Sequence, residues 1–414
     1  MRRLIKHLKS KKLLIFLSVI GPGIITANVD NDAGGIATYS LAGAHFGYSL
    51  LWSLLPVAIL LVMVQEMVAR LGVVTGKGLS DLIREEYGVK TTLFVMTALL
   101  LTNLGNITAE FAGVAASLGI FGISRYISVP VGGAMIWYLV VRGNYRLVEK
   151  VFLAACAIYL AYVISGILAR PDWSAVMEGI VQPQMKMDLP YLVMLVGIVG
   201  TTIAPWMQFY QQSTIVEKEI KVEHYRYVRW DVIIGCVFAA VVVVFIIIAC
   251  AATLHVNNIR IETAEDAAVA LAPLVGNYAS FLFALGLANA SLFAASILPL
   301  STAYSVCEGM GWEAGINKSF HEAPQFIGLY TGLIIIGGAL VLLPEAPLIH
   351  IMLISQVING ILLPFILIFI LLLVNKKALM GRHVNPPWYN KIVWVAVVLL
   401  IILNVMLLAM MVQG

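Results

Sequence analysis

The sequence predicts an all-α integral membrane protein made of two inverted five-helix halves and one additional helix. Three observations carry that expectation: the composition, a succession of apolar segments, and two polar interruptions placed five segments apart. Of the 414 residues, 61% are hydrophobic and 12% charged, with a mean hydropathy of +0.95. Soluble domains carry about 25% charged residues, so this chain has too little charge to clothe a water-facing surface.

The apolar segments follow in order at roughly 13–43, 49–69, 92–121, 127–141, 148–168, 190–216, 229–254, 278–306, 326–343, 346–374 and 391–412. Most reach the ~18–20 residues that cross a ~30 Å hydrocarbon core; the fourth is short. No segment between them is longer than about twenty residues, so the chain reads as one transmembrane domain over 1–414. Its first repeat covers about 13–168, its second about 190–374, and an extra helix about 391–412. No cleavable signal peptide is expected, because a spanning segment follows the basic start without an A-x-A-like site.

The first segment is interrupted by Asn28-Val29-Asp30-Asn31-Asp32-Ala33-Gly34-Gly35, and the sixth by Thr201-Thr202-Ile203-Ala204-Pro205-Trp206 and the polar residues that follow to Ser213. Broken helices in corresponding positions of two halves point to an inverted-repeat transporter with its site at the midplane. Five spans per half is odd, so the second half enters the membrane upside down relative to the first. Unwound backbone at that depth is tolerated only where it lines a cavity. On this reading Gly34 and Gly35 release the backbone from the helix, and Asp32 points into a polar site. An ionisable side chain there is a functional candidate by default.

Basic residues set the expected orientation. With eleven spans and a cytoplasmic N-terminus, 22 of the 26 Lys and Arg residues lie on the cytoplasmic side; Arg125, Arg170, Lys186 and Arg260 lie outside. The expectation is a multi-pass membrane protein with its N-terminus cytoplasmic and its C-terminus outside. The net charge of +4 is thereby accounted for by residues flanking the bilayer, and no nucleic-acid partner is implied. The lipid bilayer is the one macromolecular environment the sequence calls for, with no obligate protein partner evident. Cys156, Cys236, Cys250 and Cys307 lie inside apolar segments without a CxxC pair and read as small buried hydrophobes. HExxH, GxSxG and P-loop patterns are absent as well, so an enzyme is not expected.

The stretch Gly21-Pro22-Gly23, with Asp32 nine residues after Gly23 and Thr38 six residues further, resembles the first-helix signature of the natural-resistance-associated macrophage protein (NRAMP) metal transporters, G-P-G followed by D-P-G-N-x-x-T. The resemblance extends through Phe46-Gly47-Tyr48, Arg226-Tyr227-Val228-Arg229-Trp230-Asp231 and Ser355-Gln356-Val357-Ile358-Asn359-Gly360. It implies a leucine-transporter-type fold, with five plus five inverted helices, broken helices one and six, and an eleventh helix.

It also implies a metal site, from which this chain departs. Family sites combine the Asp and Asn of D-P-G-N with a methionine and a backbone carbonyl from A-x-x-M-P-H on helix six. Here Gly35 stands for the asparagine, Ala204 for the methionine and Trp206 for the histidine, while Thr201 opens the second motif. Losing the thioether removes the preference for soft ions. What remains, one carboxylate with carbonyls and extra room, suits Mg²⁺, which sheds water reluctantly. The pattern is similar to the NRAMP-related magnesium transporters of bacteria, which carry Mg²⁺ and also Mn²⁺. By this resemblance the ion is cargo, with no cofactor, and the metal residues are Asp32, Gly35, Thr201, Ala204, Glu110 and Gln356, with Asp30, Gln208, Gln212, Asn359 and Trp206 as outer candidates. Gly113 takes the place of a second family carboxylate, and Trp206 and Gln212 the places of titratable histidines. Neither Trp nor Gln titrates near neutral pH, so import without proton coupling is expected. A divalent cation gains about 4.6 kcal/mol at 100 mV, enough for accumulation on potential alone. A proton-coupled Mn²⁺/Fe²⁺ carrier and an organic-solute symporter of the same fold are the alternatives.

Overall fold

The computed structural model describes residues 22–142, 156–316 and 318–413, all in helices, turns and connecting segments. The expected starts of the first span (13–21) and fifth span (148–155) lie outside the described residues, as do the basic residues up to Lys12 and Arg146 and Lys150.

The first span is divided into α1 (Pro22–Val29) and α2 (Ala33–Phe46). There follow α3 (Leu51–Thr75), α4 (Leu79–Gly119) and α5 (Arg125–Val141). Then come α6 (Leu160–Leu168), α7 (Trp173–Val181), α8 (Leu189–Thr202) and α9 (Pro205–Glu217). The chain closes with α10 (Tyr225–Cys250), α11 (Ala279–Met310), α12 (Pro324–Val341), α13 (Leu348–Val374) and α14 (Pro387–Gln413). Eight described helical stretches are long and apolar enough to cross a membrane, with α8 and α9 together forming one of them. The fourth expected span is the 17-residue α5, the first is divided, and the fifth is described only from Cys156 on. Within α4, Gly88 (φ 82°, ψ 170°) bends the chain, so the expected third span begins just past a left-handed residue that only glycine adopts freely.

Close helix crossings position the two breaks. Gly23 of α1 lies against α10, where a Cβ would come within 2.7 Å of Val232 N; a Cβ on Gly235 would lie 2.7 Å from the Gly23 carbonyl oxygen. The Gly23 N–H donates to Asp231 Oδ2 (2.7 Å), so α10 caps the start of α1. On the other side, a Cβ on Gly200 of α8 would overlap the Gln356 carbonyl and Gly360 of α13, and one on Gly360 would lie 2.5 Å from the Val196 carbonyl oxygen. In lipid, where the hydrophobic effect does not press helices together, such small-residue contacts are what allow close packing. They set α8 against α13, and hence Thr201 beside the turn that carries Gln356. Near the basic end, Arg70 donates to Glu66 Oε2 (3.1 Å) and the His383 carbonyl (2.7 Å), tying α3 to the segment before α14.

Candidate functional site

The first break occupies Asp30 to Asp32, ahead of the two glycines expected to cause it. Gly34 and Gly35 lie inside the first turn of α2. Their smallness serves approach instead of unwinding. A Cβ on Gly34 would overlap the Gln356 amide, and one on Gly35 would lie 2.8 Å from the Asp30 carbonyl oxygen and 3.1 Å from Thr201 Oγ1. The helix restarts because Asp32 is a good N-cap: its backbone is extended, its Oδ1 accepts from the Gly35 N–H (2.6 Å), and its carbonyl accepts from the Ile36 N–H (2.9 Å).

The second break needs no ionisable group. Pro205 has no N–H, so the Thr201 carbonyl loses the donor that a continuous helix would place four residues on. Ile203 leaves helical geometry (φ −130°, ψ 62°) and Ala204 is extended (φ −67°, ψ 136°), after which α9 begins. The Tyr39 and Thr202 hydroxyls share a hydrogen bond (2.8 Å) that ties α2 to the end of α8, so the two breaks face one another.

Around this junction the structure brings together Asp32, Gly35, Thr201, Glu110 and Gln356. Glu110, from the last third of α4, accepts from the Ala33 N–H (3.2 Å) and adjoins the Asp32 carboxyl. The N-terminus of α2 therefore carries two carboxylates, as its partial positive charge favours. Gln356 lies on Gly34; its Oε1 accepts from Asn359 Nδ2 (2.8 Å), and Asn359 in turn exchanges hydrogen bonds with Asn106 of α4 (2.9 and 3.0 Å). Asn359 thus braces Gln356 one turn away. At Gly113, Ser291 and Ala33 occupy the space a second carboxylate would need.

Asp30 is buried as well, with Asp32, Tyr39 and Cys236 as its electrostatic neighbours. Asp30 is 3% exposed, Asp32 4% and Glu110 0%, yet among the described residues no Lys, Arg or His forms an ion pair with any of them. Three buried carboxyls without a basic partner must either be held neutral by a proton or meet a cation, because a buried charge persists only when paired or coordinated. Among the described residues no group of three His, Cys, Asp or Glu could by itself hold a metal ion, so a cation here draws on amides, hydroxyls, carbonyls or its own water.

The remaining expected residues make their hydrogen bonds elsewhere than to the carboxyls. Ala204 contributes no side-chain donor; its carbonyl accepts from Gln208 Nε2 (3.0 Å). Trp206 is fully buried in the first turn of α9, its carbonyl accepting from Ser301 (3.2 Å) and its ring set beside Tyr210. Gln212 lies about two turns along α9 and donates to the Lys77 carbonyl (2.8 Å), outside the carboxylate cluster. Two residues were missed by sequence reasoning. Asn31, between the two aspartates, is completely buried with neither amide atom hydrogen-bonded to protein. Gln65, a lone amide in the apolar α3, donates to Gln208 Oε1 (2.8 Å). The signal for Asn31 was its position inside the break; Gln65 offered only its polarity.

Comparison with known proteins places this geometry. The family model described as natural resistance-associated macrophage protein-like matches residues 23–410. A divalent metal cation transporter, MntH, of Deinococcus radiodurans is 30% identical, over 94% of this chain and 88% of that protein. Its namesake from Bacillus subtilis is 26% identical, over 95% and 92%. Among solved structures, a manganese transporter of Eremococcus coleocola superposes with a TM-score of 0.79 at 22% identity, over 94% of this chain and 85% of the other. Mhp1, a nucleobase-cation-symport-1 family transporter, gives 0.60 at 16% identity, over 95% and 91%. The fold is the leucine-transporter type.

Proposed function

The chain belongs to the natural resistance-associated macrophage protein-like family, and from that premise we propose that it imports a divalent metal cation, Mg²⁺ and also Mn²⁺, carried partly hydrated and driven by the membrane potential. The observation that carries this reading is the unpaired carboxylate cluster: Asp32 and Glu110, with Asp30 beside them, buried at the junction of the two breaks without a basic partner. An anionic or zwitterionic solute would have to bring its carboxylate into that negative field; a small cation is drawn into it.

Hydration follows from the donor set. The cluster supplies carboxylate, amide, hydroxyl and carbonyl oxygens, all hard, and Ala204 supplies no sulfur. Mg²⁺ keeps several waters when held by one or two carboxylates, and the Gln356, Asn31 and Thr201 polar groups are suited to bind such water. In this proposal Asp32 makes the direct contact and Glu110 adds charge beside it while holding the start of α2. Trp206 and Gln212 carry no exchangeable charge, which supports transport uncoupled from protons. The basic segments face the cytoplasm in the proposed orientation.

A proton-coupled Mn²⁺ carrier is the second reading, and Glu110 beside Asp32 favours it, since a carboxyl next to the ion is where a co-transported proton would reside. Uptake into proteoliposomes with a pH-sensitive dye inside and the potential clamped separates the two. The expected result is Mg²⁺ and Mn²⁺ entry without lumenal acidification. Acidification in fixed ratio to metal entry would establish coupling instead.

A further inference from the structure

Below the site, four buried glutamines connect it to the basic end of the molecule. Gln208, Gln211 and Gln212 fall at i, i+3 and i+4 on one face of α9, and Gln65 faces them from α3. Their amide nitrogens all donate to oxygens within the protein. Gln208 Nε2 donates to the Ala204 carbonyl at the second break (3.0 Å), and its Oε1 accepts from Gln65 Nε2 (2.8 Å). Gln211 Nε2 donates to the Gln65 carbonyl (3.3 Å), and Gln212 Nε2 to the Lys77 carbonyl in the segment after α3 (2.8 Å). Backbone carbonyls can only accept, so those at Ala204, Gln65 and Lys77 fix which end of each amide is nitrogen.

The consequence is an array of unmatched acceptors. Gln65 Oε1, Gln211 Oε1 and Gln212 Oε1 are all buried without a protein hydrogen-bond partner. A polar zipper whose only duty was to hold α3 against α9 would pair its oxygens too, because each buried unpaired acceptor is costly. The four glutamines bridge the Ala204 carbonyl at the second break and the Lys77 carbonyl, with Gln212 eight residues, or about 12 Å of helical rise, beyond Ala204.

We propose that these amide oxygens form the release route by which the hydrated ion leaves toward the cytoplasm, closed in this conformation by the contact of Gln212 with Gly72 and Lys77. The proposal rests on the divalent-ion reading above and adds to it a path and its chemistry. Water bound to a cation turns its hydrogens outward, so a passage for a hydrated ion must offer acceptors. Neutral oxygens meet that need without holding the ion, whereas carboxylates in the same places would trap it; conduction requires sites weak enough to leave.

The test replaces Gln65, Gln211 and Gln212 singly by methionine, close in size but without an amide acceptor, in the full chain. Mg²⁺ and Mn²⁺ titration of the purified proteins is compared with uptake into proteoliposomes. Binding should stay within about twofold of the parent while Mg²⁺ uptake falls about tenfold, and Mn²⁺ uptake should fall less, because Mn²⁺ gives up water more readily. Equal losses for the two ions, or none, would overturn the route and leave the glutamines as helix ties. Should the methionine variants fail to fold, Gln211→Glu keeps an acceptor and adds charge: slower Mg²⁺ uptake with a new, tighter binding component is expected, and parental uptake would overturn the proposal. A parent that binds neither ion would overturn the divalent-ion reading itself, and the route with it.

Discussion

The two helix breaks solve the same backbone problem with opposite chemistry. The first ends α1 and restarts α2 through charged and amide side chains: Asp32 caps the new helix, Glu110 arrives from α4 to hold the Ala33 N–H, and Asp30 and Asn31 lie buried between. The second breaks by Pro205 alone, with Ala204 at the cap position and neutral amides after it. Negative charge is thus confined to one face of the site, and the other face offers only neutral oxygens. A binding site charged on both sides would hold a divalent ion too firmly to pass it on; one neutral on both sides would not strip any of its water. On the proposed reading, attraction comes from the carboxyls gathered at the first break, and the neutral oxygens that would let the ion go come mainly from α9.

The sharpest way to break this comparison is to discharge the first break. Asp32→Ala removes both the proposed ion contact and the cap of α2, and uptake of Mg²⁺ and Mn²⁺ into proteoliposomes should fall by about a hundredfold or more, with the protein still monodisperse by size exclusion. The loss of an N-cap costs about 1 kcal/mol, too little to unfold the chain. Uptake within twofold of the parent would remove Asp32 from the site.

A smaller effect is expected when Glu110 loses its charge but keeps an oxygen for the Ala33 N–H. Glu110→Gln should weaken Mg²⁺ binding by roughly tenfold, about 1.4 kcal/mol, while melting temperature moves little. If stability drops and affinity does not, Glu110 is a structural cap and not part of the charged face.

The neutral face is probed at Gly200, where a methyl group would overlap the Gln356 carbonyl and Gly360. Gly200→Ala should separate α8 from α13 and cost about 1–3 kcal/mol of stability, as overpacking does, read as a lowered melting temperature. Ion affinity should fall only modestly, because in the proposed site Gln356 meets the ion's water and not the ion itself.

The subtlest change adds softness to the neutral face. Ala204→Met should raise Cd²⁺ and Mn²⁺ affinity relative to Mg²⁺ by about tenfold, since a thioether favours softer ions. Titration calorimetry of parent and variant reads the shift directly. The companion change Gly35→Asn is a poorer test, because its Cβ would come within 2.8 Å of the Asp30 carbonyl oxygen and force the first break to move.

Sequence reasoning reached the parts of this architecture that periodicity and chemistry mark locally. The breaks in the first and sixth spans were legible because charged and helix-breaking residues interrupt long apolar runs, and Asp32 because a carboxylate at that depth needs a reason to exist. Gly34 and Gly35 were read as the cause of the first break. Glycine permits unwinding and close approach alike, and only the position of Gln356 in space shows that the second use applies. Glu110 was picked as an ion residue, but its bond to Ala33 spans 77 positions of sequence and could not be foreseen. Gln212 was drawn toward the site by its motif position; the rise of the helix carries it about two turns away, to the Lys77 carbonyl. Asn31 was passed over because its significance is negative, a buried amide with nothing bonded to it, and no sequence pattern records a missing partner.

In the proposed site a hard, partly hydrated divalent ion is held by the charge of Asp32 with Glu110 beside it, and by none from the second break. The most direct test of this claim is equilibrium titration of the purified parent and of Asp32→Asn with Mg²⁺, Mn²⁺ and Cd²⁺. The account predicts saturable binding of Mg²⁺ and Mn²⁺ to the parent, no strong preference for Cd²⁺, and loss of measurable Mg²⁺ binding in Asp32→Asn. Cd²⁺ bound a hundredfold more tightly than Mg²⁺ by the parent, or Asp32→Asn binding Mg²⁺ as the parent does, would contradict it.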